Sequence, residues 1–538
     1  MKRREFVRRG VLGSAAALAT GEWAGGAGGG VRQPRSAPAF ELDEVTIAEL
    51  QQAMQQGQHT ARSITEAYLT RIEQTDKQGP ALRSILEVNP DALQIADELD
   101  RERRAKGPRG PLHGIPVLIK DNLDTADKMT NTAGSLALEG SHPPQDSTVA
   151  KKLREAGAVL LAKTNLSEWA NIRSEHSSSG WSARGGQCRN PYALDRNPCG
   201  SSSGSGAATS ANLGAASIGT ETDGSIVCPS NSNGLAGLKP TVGLVSRAGI
   251  IPISHTQDGA GPMTRTVRDA AIVLSAIAGA DSRDAATAAS AGKSHADYTR
   301  FLDAKGLKGA RIGVARQYFG FHRDVDKVME EALAEMKRQG AELIDPVALT
   351  KDSAVGDAEL LILLYELKSD LNAYFASLGA KAPVKSLADV IEFNEKNKDR
   401  EMPYFGQELF IKAQAKGPLA AKDYLDALKK CRTLSREKGI DATMTRHKLD
   451  AVVGPTGGPA WLTDLVNGDH FGGGVSTLPA VAGYPHITVP AGFIRGLPVG
   501  ISFFGRAWSE PVLLKIAYSF EQATRHRRAP KFLPTAEL

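Results

Sequence analysis

The sequence predicts an α/β protein in which helices cover both faces of a central mixed, largely parallel β-sheet. Short apolar runs at 117–119, 159–161 and 311–315 have the length and composition of buried strands. Helical patterns separate such runs, as at 147–156 and 324–339. The hydrophobic share of 41% and the charged share of 23% are typical of a soluble globular chain, which excludes a disordered protein, a collagen and a coiled-coil rod.

The first half of the chain opens with predicted helices. A capping box at 63–66 precedes apolar residues at helical spacing, and the Asn-Pro pair at 89–90 predicts the start of a second helix. A loop rich in Pro and Gly, 107–116, then leads into a short strand that ends in Lys120. The elements that follow are the helix at 147–156 and the strand at 159–161.

The second half repeats this strand–helix–strand order. After the strand at 311–315 and the helix at 324–339 comes a strand at 342–344. The charged stretch 345–448 is mostly helical and predicts a peripheral layer or a lid. The last elements are strands at 451–453, 487–489 and 501–504, and a helix at 510–524. We find no internal repeat and no long linker, so we predict one domain over 37–538.

Residues 1–36 resemble an export signal followed by a Gly-rich linker. A basic head with the pair Arg3-Arg4, and Phe6 two positions later, precedes the small and apolar run 11–20. Ten residues of helix span only about 15 Å, which is too short for a stable membrane anchor. We therefore expect a twin-arginine-type signal and export to the periplasm; the alternative is an ordinary basic N-terminus.

The net charge of +5 gives no reason to expect a nucleic-acid partner. Residues 1–36 hold seven basic and two acidic side chains, a net of +5, so 65 − 7 = 58 basic and 60 − 2 = 58 acidic residues remain after them. The rest of the chain is close to neutral.

The Gly/Ser-rich stretch 197–207 is the most unusual segment of the sequence. A P-loop would need a lysine at its end, and a dinucleotide fingerprint would need Gly or Ala at Thr209. The pattern G-x-S-x-G at 200–204 would make Ser202 an elbow nucleophile, but the residues before it form a poor strand. Both phosphate-binding interpretations therefore fail, and the elbow remains a weak alternative.

A second loop, 219–226, ends in Ser225 and could direct several amide N–H groups at one point, as an oxyanion site requires. A serine nucleophile needs a base. Lys120 is one candidate; the others are His113, His255, His470 and His486. The sequence has four cysteines: Cys188, Cys199, Cys228 and Cys431. It allows two alternatives, one disulfide among the first three or buried free thiols at all four positions.

Four ordered motifs resemble the amidase signature family. They are 114–122 (GIPVLIKDN), 200–204 (GSSSG), 219–226 (GTETDGSI) and 237–241 (GLKPT). The resemblance spans most of the chain and implies the amidase signature fold, with a catalytic core at about 110–265. It also implies a Ser–cis-Ser–Lys triad, in which the nucleophile falls on Ser225, the bridging serine on Ser201 and the base on Lys120.

The same resemblance places the oxyanion donors on the backbone N–H groups of Thr222, Asp223, Gly224 and Ser225. Two departures stand out: Asp223 replaces the glycine of many members, and Ser-Ser-Ser at 201–203 replaces Ser-Ser-Gly. Because donation is through the backbone, the aspartate need not harm the site, although its carboxylate would lie close by.

Lys120 must be neutral to accept a proton, and lowering its pKa from about 10.4 to about 7 takes roughly 4 kcal/mol. Desolvation against the apolar residues 117–119 is a source of that shift. We interpret Lys163 as structural and Glu221 as an acceptor that anchors the loop. The histidines lack any ligand spacing, so we expect no metal and no cofactor.

The variant motifs are similar to those of the bacterial peptide amidases, which implies a serine amidase that releases ammonia from C-terminal peptide amides through an acyl-enzyme. Three alternatives are a broader aliphatic or aromatic amide hydrolase, a component of the tRNA transamidation complex, and a catalytically silent binding protein on the same fold. An export signal argues against the second, and the presence of all three triad residues argues against the third.

Overall fold

Eleven of the strands in the computed structural model, which describes residues 38–537, form one large mixed sheet. The strands, numbered along the chain, are β1 Ile85–Val88, β2 Pro116–Lys120, β3 Val159–Thr164, β4 Trp181–Ser182, β5 Gly186–Gln187, β6 Ala216–Glu221, β7 Ala236–Lys239, β8 Gly259–Thr264, β9 Arg311–Val314, β10 Glu342–Ile344, β11 Ala451–Pro455, β12 His486–Ile494 and β13 Leu497–Phe504. The order across the sheet is β1-β3-β2-β6-β8-β7-β12-β13-β11-β9-β10, and β4 and β5 form a separate hairpin.

The expectation of a mixed sheet is confirmed, but the expectation that it is largely parallel is wrong. Four neighbouring pairs are parallel, β2–β3, β2–β6, β9–β10 and β9–β11. The other six are antiparallel. Helical crossovers join β2 to β3 and β9 to β10, as parallel neighbours require. By contrast, β12 and β13 form a hairpin whose two turn residues, Arg495 and Gly496, both have positive φ.

Helices flank this sheet. They are α1 Ile47–Gln55, α2 Ala61–Arg71, α3 Ala92–Lys106, α4 Thr148–Glu155, α5 Ser203–Ser210, α6 Val227–Ser232, α7 Val267–Ile277, α8 Arg323–Arg338, α9 Gly356–Ser377, α10 Leu387–Lys396, α11 Lys398–Glu401, α12 Glu408–Gln414, α13 Lys422–Arg432, α14 Asp441–His447, α15 Thr477–Ala482 and α16 Glu510–Thr524. Short 3₁₀ segments and two π-helical turns, Ile72–Lys77 and Thr433–Ile440, complete the set.

Two predicted helix starts need correction. The capping box lies at Thr60 and Ser63, so α2 begins at Ala61 and the predicted cap Ser63 is already helical. Asn89 accepts a hydrogen bond from the backbone N–H of Asp91, and α3 begins after that turn, at Ala92. Short polar side chains favour both helix caps and turns, so the sequence alone does not show which of the two positions such a residue occupies.

The helices α9, α10 and α12 pack beside the region of the predicted site residues. Their apolar side chains, among them Leu367 and Phe375, form a core with Trp169, Ile251 and Ile253 of the sheet-bearing part. The predicted peripheral helical layer is therefore present and packs directly against loops near the candidate site. Within 38–537, no helix is both long enough and apolar enough to cross a bilayer.

Candidate active site

The candidate base, Lys120, is the last residue of β2 and is fully buried. Every residue of this strand is buried, as expected for a strand between two neighbours. The ammonium donates to Ser201 Oγ at 2.7 Å and to Thr220 Oγ1 at 2.8 Å. Burial lowers the pKa of Lys120 to about 7, while the charges of Asp258 and Glu221 act in the opposite direction.

The candidate bridging serine, Ser201, follows a cis peptide bond after Gly200 and is fully buried. Its carbonyl accepts a hydrogen bond from the backbone N–H of Ser167 at 3.0 Å. The next residue, Ser202, donates its backbone N–H to the carbonyl of Ser225 at 3.2 Å. The backbone therefore joins the bridging serine's loop directly to the candidate nucleophile.

Ser225 lies between the end of β6 and the start of α6, in a loop that is held by the carboxylate of Glu221. Glu221 Oε2 accepts the backbone N–H groups of Ile226 at 2.7 Å and Val227 at 3.0 Å. Glu221 is 1% exposed, and burial raises its pKa. The prediction that Glu221 anchors the loop is confirmed.

The four amides assigned to the oxyanion lie together in this loop. Gly224 has φ +78°, a conformation that glycine adopts without steric cost. Among residues 38–537, no hydrogen bond has the N–H of Asp223, Gly224 or Ser225 as its donor. These donors are therefore available to a substrate oxygen.

Asp223, the departure from the family pattern, has its carboxylate in contact with α15. Its Oδ2 accepts a hydrogen bond from Thr477 Oγ1 at 2.7 Å, at the first residue of α15. Burial raises the pKa of this carboxyl group.

A disulfide between Cys199 and Cys228 joins the two loops that carry the candidate serines, with a Cα–Cα distance of 5.9 Å. One cysteine precedes Gly200–Ser201 by one residue, and the other follows Ser225 by three. The sequence allowed a disulfide among the first three cysteines but did not select this pair. Cys188 and Cys431 are buried free thiols.

Sequence reasoning missed three residues around the base. Thr220 Oγ1 accepts from Lys120 and from Asn122 Nδ2 at 3.0 Å. Asp258 accepts from Thr222 Oγ1 at 2.6 Å and from two backbone amides of its own loop. Thr220 and Asn122 stand inside the family motifs, which could have suggested them, whereas Asp258 lies outside the motifs quoted above.

The alternative bases and the alternative nucleophile do not join this site. Ser202 Oγ donates to the carbonyl of Thr220 at 3.0 Å and so supports β6. The buried imidazoles of His113 and His486 contact Leu99 O and Ser502 Oγ. Lys163 donates to the carbonyl of Leu123, which confirms its structural interpretation.

The other two histidines also have separate surroundings. His470 is exposed on the loop between β11 and α15. His255 pairs with Asp370 at 2.9 Å and with Glu366 at 3.3 Å, which raises its pKa and fastens its loop to α9. These three side chains are close enough to share a cation, but the Glu366 carboxylate is already filled by hydrogen bonds from Ser254, Thr256 and Tyr424.

The large mixed sheet and the matched sequence define a class, the amide-hydrolysing enzymes. The sequence model described as "Amidase" matches residues 63–514, and the chain belongs to the amidase signature family.

Three relatives show which kinds of amidase this chain is similar to. The structure of the native peptide amidase from Stenotrophomonas maltophilia is 52% identical, with a TM-score of 0.88 over 92% of this chain and 100% of that one. A probable amidase from Arabidopsis thaliana is 43% identical over 94% of this chain and 95% of its own length. A glutamyl-tRNA(Gln) amidotransferase component from Halorhodospira halophila is 34% identical over 91% of this chain and 99% of its own length.

Proposed function

We propose that this chain is a serine amidase that hydrolyses C-terminal amides of peptides through a Ser225–Ser201–Lys120 triad. The observation that carries the proposal is the 2.7 Å hydrogen bond between Lys120 Nζ and Ser201 Oγ, both fully buried. Ser225 is held beside this pair by the backbone bond from Ser202. A buried lysine whose pKa is about 7 is the base that such a triad requires.

The mechanism follows from these positions. Neutral Lys120 accepts the hydroxyl proton of Ser201 while Ser201 takes the proton of Ser225. Ser225 Oγ attacks the amide carbon, and the amides of 222–225 stabilise the negative oxygen. The carbon–nitrogen bond then breaks, and ammonia leaves with the relayed proton. Water attacks the acyl-enzyme along the same proton path and releases the carboxylate. Loss of one oxyanion donor typically costs about 3 kcal/mol, so the geometry of the loop matters as much as the base.

The proposal that the substrates are peptide amides rests on the similarity to the S. maltophilia peptide amidase. The similarity covers the full length of that protein. A broader amide hydrolase with the same triad is the nearest alternative. The sequence identity to the glutamyl-tRNA(Gln) amidotransferase component is lower, although it extends over a similar share of this chain. It supports an amidase chemistry common to both proteins and does not by itself indicate that this chain has the same substrate.

The direct test compares ammonia release by the full-length chain and its Ser225→Ala variant. The substrates are a short peptide amide, the same peptide with a free carboxylate, and a simple amide such as benzamide. We expect ammonia from the peptide amide only with the wild type, and mass spectrometry should show intact internal peptide bonds.

Ser230→Ala is the matched control, because Ser230 is a buried serine of α6 whose hydroxyl has no hydrogen-bond partner among the described residues. Its activity should equal that of the wild type. Full activity in Ser225→Ala would exclude the triad. Turnover of benzamide without turnover of peptide amides would exclude the proposed substrate, and no turnover of any amide would favour the silent binding protein.

We also propose that residues 1–36 direct export to the periplasm and that residues 37–538 act as one catalytic domain. The signal lies outside the described residues. The disulfide beside the triad supports this proposal, because disulfides persist in oxidising compartments. Replacing Arg3 and Arg4 by lysine should retain the protein in the cytoplasmic fraction, whereas unchanged export would contradict a twin-arginine route.

A further inference from the structure

The loop between β11 and α15, residues 456–476, contains no helix or strand. Loops longer than about 12–15 residues without such elements are uncommon in compact domains, and many of them bind ligands. Three of the eight large apolar side chains that are exposed within residues 38–537 belong to this loop, namely Leu462, Val466 and Phe471. Exposed apolar side chains that concentrate in one place are typical of a binding surface.

The β11–α15 loop borders the segment that carries the candidate nucleophile. Near the start of the loop, the carbonyl of Gly458 accepts a hydrogen bond from Asn231 Nδ2 at 2.9 Å, in the helix α6 that follows Ser225. At the end of the loop, the Ser476 hydroxyl lies 3.3 Å from the point that a Cβ would occupy on Gly224. The loop therefore begins and ends against residues that flank Ser225.

The middle of the same loop is fastened near the candidate bridging serine. The carbonyl of Trp461 accepts from the backbone N–H of Asn197 at 2.8 Å, four residues before Ser201. The carboxylate of Asp469 accepts from the backbone N–H of Ser179 at 3.0 Å and from Asn197 Nδ2 at 3.3 Å. These bonds hold the β11–α15 loop beside both loops that carry the candidate serines.

A cavity of about 640 Å³ lies between this loop and the two residues that precede α8. Ligand sites in proteins usually have about 300–1,000 Å³. Two aromatic side chains, Phe321 and Trp461, line the cavity together with the exposed Leu462. A Cβ on Gly473 would come within 3.0 Å of the Phe321 ring, so glycine is needed there for the loop to pack against this ring. The cavity thus has an aromatic wall on each side.

Three charged side chains also line the cavity, and each is engaged within the protein. Asp469 is held as described above. Asp464 accepts from Asn467 Nδ2 at 2.6 Å, and Arg196 pairs with Asp195 at 3.5 Å. A charged ligand therefore gains little here, whereas an apolar ligand gains the contact with the two aromatic rings.

We propose that this cavity binds an aromatic or large aliphatic side chain of the peptide substrate, at the third residue counted from the C-terminal amide. The helix α6 has six residues and is about 9 Å long, and Gly458 of the cavity contacts it near its far end, at Asn231. An extended peptide covers about 3.3 Å per residue, so about three residues span that distance. The inference rests on the proposed amidase function and adds a preference for an apolar residue upstream of the amide.

The kinetic test uses two acetylated tripeptide amides, X-Ala-Ala-amide, in which X is phenylalanine or serine. We expect the full-length enzyme to show a kcat/KM about tenfold higher for the phenylalanine peptide. Leu462→Asp places a charge at the cavity and should reduce this ratio at least about fivefold, through a lower kcat/KM for the phenylalanine peptide. Leu425→Asp is the matched control and should leave the ratio as it is, because Leu425 is a similarly exposed leucine of α13 that does not line this cavity.

A crosslinking measurement separates this inference from the proposed function. The Ser225→Ala protein is irradiated with a tripeptide amide that carries benzoylphenylalanine at the third residue from the amide, and peptide mass spectrometry locates the crosslink. We expect the crosslink within residues 456–476 or at Phe321 and His322, and we expect the phenylalanine peptide to compete with it. Crosslinks only to other segments, or an unchanged kinetic ratio in Leu462→Asp, would overturn the inference. If neither peptide releases ammonia with the wild type, the proposed function fails while the crosslink still decides the inference.

Discussion

At the scale of single residues, the central feature is a lysine whose burial favours the neutral amine. Lys120 has no carboxylate within ion-pair distance in the part of the chain that the structure describes, and its two short contacts are hydroxyl oxygens. Desolvation therefore dominates, and it lowers the pKa to about 7 against the opposing charges of Asp258 and Glu221. This is the shift that the apolar strand before Lys120 led us to expect.

The pH dependence of the reaction follows from this lysine. Lys120 acts as a base only when it is unprotonated, so kcat/KM should be low in acid, rise through about pH 7 and then reach a plateau. Steady-state kinetics with a neutral peptide amide between pH 5 and 9 test this expectation. A flat profile down to pH 5 would contradict the assignment of Lys120 as the base.

Asp258→Asn tests the electrostatic part of the same account. The Asp258 charge raises the pKa of Lys120, so its removal should move the rising limb to lower pH. A purely structural effect, through the lost contact with Thr222, would instead lower the plateau and leave the position of the limb unchanged. The two outcomes are distinguished in one pH–rate profile.

At the scale of secondary-structure elements, the sequence predicts most apolar strands well and glycine-rich strands poorly. The exception is the apolar strand β1, which lies inside a stretch of helical pattern and was missed. Strands β2, β3 and β11 and helices α8 and α16 fall within a few residues of their predicted positions. Strands β6, β7 and β8 are missed because their sequences, such as GAGPMT in β8, contain few β-branched residues. Their extended conformation is imposed by pairing with neighbours far along the chain, which local composition does not encode.

The residues of the candidate site likewise fall into two groups, those that the sequence predicts and those that it does not. Lys120, Ser201, Ser225 and the oxyanion loop were predicted because each lies in a motif. The role of Asp258 depends on a loop contact with Thr222 that spans 36 residues. Such contacts arise only from the tertiary fold, so a single sequence gives no signal for them.

The disulfide gives a prediction at this scale. Cys199 and Cys228 close a loop of 29 residues between the two catalytic loops, and such a crosslink stabilises by about 3–4 kcal/mol through the unfolded state. Replacing both cysteines by serine should lower the free energy of unfolding by up to that amount and reduce kcat. Denaturant titration measures the change.

Reduction provides the control for the disulfide. Dithiothreitol should destabilise the wild type and leave the double serine variant unaffected, because the remaining thiols, Cys188 and Cys431, are unpaired. Equal sensitivity of both proteins to the reductant would contradict a stabilising role for this bond.

At the scale of the whole molecule, the helical layer is attached to the sheet by a buried ion cluster. Arg173 is fully buried and contacts the carboxylates of Glu168 and Glu401, the second of which belongs to α11. Its guanidinium also stacks on Phe405, 4.4 Å from the ring centroid.

Arg173→Met should therefore destabilise the protein by about 3–5 kcal/mol, because it leaves two buried carboxylates without a counter-charge. Thermal and denaturant unfolding measure the loss. Arg338→Met is the matched control, since Arg338 pairs with Glu335 on the surface of α8 and should contribute at most about 1 kcal/mol. Equal effects of the two substitutions would contradict the role of the buried cluster.

The most direct test of the whole account is the identity of the acylated residue. An acid-quenched reaction with a peptide amide, analysed by intact-protein and peptide mass spectrometry, should show the enzyme carrying the acyl group on Ser225. The Ser225→Ala variant should carry none. An acyl group on Ser202, or on any other residue, would contradict the assignment of the nucleophile and with it the proposed triad.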